Sequence, residues 1–140
     1  MQEIFRKIYE KNLWESPETR SGIGSEILHT EDVRLQLTWI LKELNIKTFL
    51  DVPCGDFNWM QKMDLSGIQY IGADILPEII DKNTQEHSKD SLKFKVMDIT
   101  QDTLPKACLL LVRDCLVHFS YADITRFLLN LQRSNIFYLM

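Results

Sequence analysis

The sequence predicts an α/β protein built on a doubly wound parallel sheet. Short apolar segments of strand length alternate along the chain with amphipathic segments of helical spacing. Three successive predicted strands carry an aspartate at or near their ends, namely Asp51, Asp74 and Asp98. The tight turn Pro53-Cys54-Gly55 follows the first strand and opens toward a brief helix. Alternating strands and helices are typical of parallel sheets, whose ligands bind beyond the carboxyl ends of the strands.

Length and composition suit one domain with a single core. The 140 residues divide into an N-terminal helix and glycine-serine loop (1–30) and an α/β core (31–140). A net charge of −4 argues against a nucleic-acid-binding surface that works by bulk electrostatics. No apolar segment approaches the ~20 residues of a membrane span, and the charged N-terminus lacks a signal-peptide pattern. Three cysteines without framework spacing fit reduced thiols, so we expect a cytoplasmic protein.

The N-terminal half begins with an amphipathic pattern over residues 1–12, where Ile4, Phe5, Ile8 and Tyr9 share one stripe. A loop with two glycines and three serines follows. Such a loop is either a flexible connector or a segment whose backbone N–H groups approach a ligand. The next helix is predicted from Thr30, a candidate N-cap, to Asn45.

The second half continues the alternation of strands and helices. The remaining predicted strands are Gln69–Asp74, Leu92–Asp98, Cys108–Arg113 and Asn135–Met140. Predicted helices cover Leu76–His87 and the segment after Ser120, which forms a capping box with Asp123 and turns Ile124, Phe127, Leu128 and Leu131 inward. The last strand has no polar tail, so we expect a shortened chain whose exposed strand a dimer could cover.

The strand-end carboxylates favour a particular class of ligand. A carboxylate in this position can accept hydrogen bonds from amines and ribose hydroxyls. Asp74 follows Asp51 at close to the ~20-residue offset at which an acidic residue meets a ribose. A dinucleotide-binding site requires the pattern G-x-G-x-x-G. In this sequence Pro53, Gly55 and Asn58 occupy the three glycine positions, and Asp56 adds a negative charge beside them. The pattern favours a phosphate-free nucleoside with a cationic group, and disfavours an NAD-dependent oxidoreductase.

Four segments together resemble the class I S-adenosylmethionine-dependent methyltransferases. DVPCGDF at 51–57 looks like their first motif, in the variant with proline where many members have glycine. The segments 70–75, 96–99 and 111–118 are similar to the second, third and fourth motifs. The segment 14–25, which contains SGIGS, looks like the N-terminal lead-in of the same subgroup. The resemblance covers roughly residues 12–140.

The resemblance implies a Rossmann-like sheet of strand order 3-2-1-4-5 with an N-terminal helical extension and without the family's C-terminal antiparallel hairpin. It also implies S-adenosylmethionine as cofactor and an O or N atom of a small molecule as methyl acceptor. Asp51 and the Cys54-Gly55 backbone would approach the methionine part, Asp74 the ribose and Asp98 the adenine. The implied cofactor-binding residues are Trp14, Gly24, Asp51, Pro53, Cys54, Gly55, Asp56, Asp74, Ile75, Asp98, Ile99 and Arg113.

The implied catalytic residues are Arg113, Asp114 and His118, which would border the sulfonium and the acceptor. Histidine changes charge near neutral pH and suits a general base, although His118 could instead merely bond a nearby carbonyl or acid. Arg113 and Asp114 could pair with each other or orient the substrate. Cys54, Cys115 and His118 fall short of a full zinc ligand set, so no metal site is expected. A non-catalytic cofactor-binding remnant or an interaction module is the alternative function.

Overall fold

The computed structural model describes residues 1–140 and contains one five-stranded sheet of order β3-β2-β1-β4-β5, with every pairing parallel. The strands are β1 (Thr48–Asp51), β2 (Gln69–Asp74), β3 (Leu92–Val96), β4 (Leu109–Leu111) and β5 (Tyr138–Leu139). The helices are α1 (Gln2–Lys11), α2 (Glu31–Glu43), α3 (Pro77–His87) and α4 (Tyr121–Gln132). The predicted fold class and strand order are confirmed. None of these helices has the length and apolar character of a membrane span.

The two faces of the sheet bury separate apolar clusters. Alternate residues of a strand point to opposite faces, so neighbours in sequence enter different clusters. Phe49 of β1 packs with Leu37 and Leu41 of α2 on one face. Leu50 packs with Phe127 of α4 on the other face. Burying each of these side chains contributes about 2–3 kcal/mol, and the helices on both faces leave the strand ends as the open edge of the sheet.

Three strands are shorter than the sequence predicts, and the last of them, β5, spans Tyr138–Leu139 rather than Asn135–Met140. β3 ends at Val96 rather than Asp98, because the Asp98 carboxylate accepts a 2.9 Å hydrogen bond from the Thr100 N–H and forms a turn. β4 spans Leu109–Leu111 rather than Cys108–Arg113, although the Val112 N–H still donates to the Met140 carbonyl at 2.8 Å. The first helical segment after β1 is a single 3-10 turn, Met60–Lys62.

Of the two predicted helix caps, one is present in the structure and the other is not. Ser120 caps α4 as predicted, because its side chain accepts the Asp123 N–H. The Thr30 prediction is wrong in its chemistry: its hydroxyl donates to the carbonyls of Glu26 and Ile27 and caps no N–H of α2. The inward assignment of Leu128 is also wrong, since this residue is 51% exposed while Phe127, one position earlier, is fully buried.

Candidate functional site

The carboxyl ends of β1 to β4 surround one crevice with an empty volume of about 1020 Å³, including its open mouth. Asp51, Asp74 and Asp98 all line this crevice. They meet because parallel strands end at the same edge of a sheet. The opposite wall comes from α1 and from the loop that follows it. The predicted strand-end aspartates therefore lie together.

Asp51 is the most deeply buried of these carboxyl groups, with 3% of its surface exposed. Burial raises its pKa to about 7, although a hydrogen bond from the Tyr70 hydroxyl opposes the rise and the nearby Asp74 adds to it. That hydrogen bond is 2.7 Å long and engages one carboxylate oxygen. The position of the Asp51 carboxylate is thus fixed by a residue of the core, since the Tyr70 ring packs against Phe49.

Asp74 lies beside Asp51 and is 6% exposed. Its two oxygens each accept one backbone N–H, from Leu76 at 3.0 Å and from Gly55 at 3.2 Å. Burial raises the pKa of Asp74 to about 6, against the lowering effect of these backbone hydrogen bonds. Neither Asp51 nor Asp74 takes part in a salt bridge, although the charge of Arg113 acts on Asp51 and slightly opposes the rise of its pKa.

The turn after β1 brings its backbone close to the N-terminal loop. Gly55 has a φ of +53°, and a Cβ there would lie 2.2 Å from the Ser21 Oγ. Both the left-handed conformation and the lack of space therefore require glycine. The preceding Pro53 follows a cis peptide bond. Cys54 is buried, which raises its thiol pKa well above the usual range and leaves it a small neutral side chain.

Asp56 lines the crevice, but its carboxylate is occupied by the N-terminal loop. The Thr19 hydroxyl donates to it at 2.7 Å, the Arg20 N–H at 2.8 Å and the Ser21 hydroxyl at 3.0 Å. These contacts join residues about 35 positions apart along the chain. The glycine-serine loop is therefore held against the β1 turn, which the sequence alone left open.

Asp98 and the apolar residues near it form the β3 end of the crevice. Burial disfavours the charged form of Asp98, but hydrogen bonds from Thr100 and Gln101 outweigh it and lower the pKa. Ile99 is buried and Ile75 is half-buried, and both line the crevice together with Asp98. This end combines a charged acceptor with flat apolar surface.

Arg113 and Asp114, beyond β4, are engaged with each other. Arg113 Nη1 lies 3.0 Å from Asp114 Oδ2, and its Nη2 donates to the Gly24 carbonyl at 2.8 Å. The guanidinium also lies 5.7 Å from the centre of the Trp59 ring. Gly24 is not among the crevice-lining residues, but it lies against Arg113 and Asp114, which are.

His118 belongs to an aromatic wall. Its ring centre lies 5.7 Å from that of Trp14 and 6.1 Å from that of Phe5. The sequence had indicated Trp14 and His118 but not Phe5 or Tyr9, which also line the crevice. The helical stripe of α1 was the available signal, because its apolar face needed a partner. Two links hold α1 across the mouth: Gln2 donates to the Ile75 carbonyl at 3.0 Å, and Arg6 pairs with Glu78 at 2.7 Å.

No family model and no curated protein matches the sequence. Solved structures do match. The N-methyltransferase NodS from Bradyrhizobium japonicum WM9, in complex with S-adenosyl-L-homocysteine, superposes with a TM-score of 0.68 at 14% identity over 88% of this chain and 65% of that one. The chain has a methyltransferase fold.

Other solved methyltransferases share this fold. The methyltransferase domain of bacterial CtHen1 gives a TM-score of 0.63 at 15% identity, over 74% of this chain and 60% of that domain. Phosphoethanolamine N-methyltransferase 1 from Haemonchus contortus gives 0.62 at 16% identity, over 96% of this chain and 30% of that one. This methyltransferase-fold chain thus spans less than two thirds of the length of each of these proteins.

Proposed function

We propose that the crevice binds S-adenosylmethionine and that the protein transfers its methyl group to an O or N atom of a small molecule. The carrying observation is the pair of buried acids, Asp51 and Asp74, whose pKa values rise to about 7 and 6. A cationic ligand would favour their charged forms, whereas a phosphate group would repel them. The fold supports the same class of ligand.

The charges around the crevice fit this cofactor. Its lining contains more acidic than basic side chains, namely Asp51, Asp56, Asp74, Asp98 and Asp114 against Arg20 and Arg113. The cofactor carries a sulfonium and an ammonium group and no phosphate.

We assign three parts of the ligand to three strand ends. Asp51 and the Cys54-Gly55 backbone would hold the methionine part. Asp74 would accept the ribose hydroxyls, because each of its oxygens has accepted only one N–H and keeps a free lone pair. Asp98 would accept the adenine amino group. Ile75 and Ile99 would pack against the adenine ring.

The protein's contribution to the reaction is mainly alignment. When bound, the cofactor supplies a methyl group activated by its positive sulfur. The strand-end residues hold the donor in place, and the wall of Phe5, Trp14 and His118 excludes water from the approach. His118 would accept the proton of the acceptor nucleophile. Arg113 and Asp114 would orient the acceptor.

Cofactor binding without turnover is the second candidate function. The pairing of Arg113 with Asp114 and Gly24 favours it, because it leaves His118 as the only unpaired catalytic candidate at this wall. His118→Ala separates the two functions. If the protein is an enzyme, this variant should lose methyl transfer and keep its affinity for S-adenosylhomocysteine.

Titration calorimetry with S-adenosylhomocysteine tests the binding proposal. We expect saturable 1:1 binding and none with NAD⁺. Asp74→Asn should weaken binding by about tenfold or more, since hydrogen bonds to a charged group contribute about 1.5–3 kcal/mol. Asp90→Asn, in the exposed turn before β3, is the matched control and should bind as the wild type does. Absence of binding to the wild type would overturn the proposal.

A further inference from the structure

Arg20 occupies a distinctive position at the mouth of the crevice. It lines the crevice together with Asp51, Cys54 and Asp56. Arg113 is the other arginine of the lining, and its guanidinium is taken by Asp114 and by the Gly24 carbonyl. Arg20 forms no salt bridge, and its only hydrogen bond is donated by its backbone N–H. It therefore provides the one unpaired guanidinium in a crevice that is otherwise acidic.

The backbone under Arg20 is fixed on both sides. The neighbouring Thr19 is buried, and its hydroxyl donates to Asp56 at 2.7 Å. The hydroxyl of Ser21, on the other side, both donates to the Asp56 carboxylate and accepts the Asp56 N–H, each at 3.0 Å. Asp56 accepts these hydrogen bonds from neutral groups of the loop and forms no salt bridge with the Arg20 guanidinium. The loop thus presents a free positive charge from a preorganised position.

This charge lies at a particular end of the crevice. Arg20 is bonded through its N–H to Asp56, one residue after Gly55, and Ser21 abuts Gly55 itself. The β1 turn is the end assigned above to the methionine part of the ligand, whereas Asp98 and Ile99 lie at the β3 end. On that assignment Arg20 would lie beside the amino-acid portion, whose only anionic group is a carboxylate.

We propose that Arg20 binds the carboxylate of the cofactor's amino-acid part and makes the site selective for ligands that carry it. The planar fork of a guanidinium matches a carboxylate through two parallel hydrogen bonds. Asp56 acts as a positioning residue, because it holds the loop and leaves the guanidinium free. The inference rests on the proposed function.

Two ligands that differ in the amino-acid part provide the test. S-Adenosylhomocysteine has this part, while 5′-methylthioadenosine keeps the adenosine and the thioether but lacks the carboxylate. We expect Arg20→Gln to lower the affinity for S-adenosylhomocysteine by about tenfold to a hundredfold, because a charge-assisted hydrogen-bonded pair is lost. Binding of 5′-methylthioadenosine should change by less than about twofold. Arg20→Lys, which keeps the charge but loses the fork, should fall between wild type and Arg20→Gln.

The controls separate the possible failures. Arg133→Gln, at the end of α4 and outside the crevice lining, should leave both affinities unchanged. Thermal unfolding of each variant checks that the fold is intact. If Arg20→Gln weakens both ligands equally, or neither, the carboxylate role is wrong while the cofactor proposal stands. If the wild type binds neither ligand, the proposed function itself fails.

Discussion

At the scale of single residues, Gly55 is the position that tolerates least change. An alanine there would combine a φ of +53° with a Cβ 2.2 Å from the Ser21 Oγ. We expect Gly55→Ala to lower the free energy of unfolding by about 2–4 kcal/mol, of which roughly 1 kcal/mol comes from the left-handed backbone. Urea denaturation measures the loss.

Gly67 provides the control for this prediction. It also has a positive φ, +75°, but no atom lies within 4 Å of a Cβ placed there. Gly67→Ala should therefore lower the free energy of unfolding by only about 1 kcal/mol. Equal losses for the two variants would mean that the contact between the β1 turn and the N-terminal loop has no role in stability.

Asp51 makes stability depend on pH in a direction opposite to that of most native carboxylates. Burial raises its pKa from 3.8 to about 7, so between these pH values the folded chain holds a proton that the unfolded chain releases. The free energy of unfolding therefore falls as pH rises through this range. Asp51→Asn should be more stable than the wild type by about 1–3 kcal/mol at pH 8, with the advantage shrinking toward pH 4.

Chemical denaturation across this pH range checks the prediction. Asp90→Asn is the control, because it alters an exposed carboxyl group outside the crevice. Its stability difference from the wild type should stay nearly constant with pH. Replacing a buried carboxylate by a neutral amide removes the cost of burying its charge. An Asp51→Asn variant that is less stable than the wild type at pH 8 would therefore contradict burial as the cause of the raised pKa.

At the scale of secondary-structure elements, α1 should open independently of the sheet. None of its residues is buried, and two polar links join it to the rest of the chain, from Gln2 to the Ile75 carbonyl after β2 and from Arg6 to Glu78 of α3. α2, by contrast, buries Leu37 and Leu41. Hydrogen exchange should therefore be at least about tenfold faster in α1, which corresponds to a difference of about 1.4 kcal/mol in opening free energy.

Ligand binding sharpens this prediction for α1. Phe5 and Tyr9 line the crevice, so a bound ligand should pack against the helix and slow its exchange. S-Adenosylhomocysteine should therefore slow exchange of the α1 amides, which would stay unprotected if α1 opened without releasing the ligand. Equal exchange in the two helices without ligand would show that α1 is part of the cooperative core.

At the scale of the whole molecule, β5 is an edge strand of the sheet. Phe137, beside it, is 82% exposed, and Leu139 is 50% exposed. We expect a second copy of the chain to cover this edge, because unpaired strand edges with apolar side chains associate. Sedimentation should show a dimer that Leu139→Lys converts to monomers. Leu35→Lys, at an exposed position of α2, should remain dimeric. A monomeric wild type would exclude this association.

The sequence predicted those features that local patterns determine. β2 has its predicted bounds, Gln69–Asp74, and α3 differs from the prediction by one residue. Both elements were predictable because strand patterns and helix-end signals depend on residues that are adjacent in the sequence. The strand-end rule brought Asp51 and Asp74 to one crevice for the same reason. The inward assignment of Leu128 is wrong because helical spacing alone does not indicate which side of an apolar stripe the sheet will cover.

The remaining features depend on contacts between distant segments. Thr30 could have capped α2, but carbonyls of the preceding turn take its hydroxyl. The Asp56 carboxylate accepts hydrogen bonds from Thr19, Arg20 and Ser21, contacts that the sequence did not indicate. No local pattern reveals such pairings, because they form only when the loop folds back over the β1 turn. The roles assigned to the site residues stay predictions until ligand binding is measured.

The hydrogen bond from Tyr70 to Asp51 links the interior packing to the chemistry of the crevice. The Tyr70 ring lies among Phe49, Phe57 and Phe94, and its hydroxyl reaches Asp51 at 2.7 Å. A change in this aromatic cluster would shift the hydroxyl and with it the readiness of Asp51 to ionise. If Asp51 binds the ligand as we propose, redesign of that cluster to stabilise the protein would alter ligand selectivity as well.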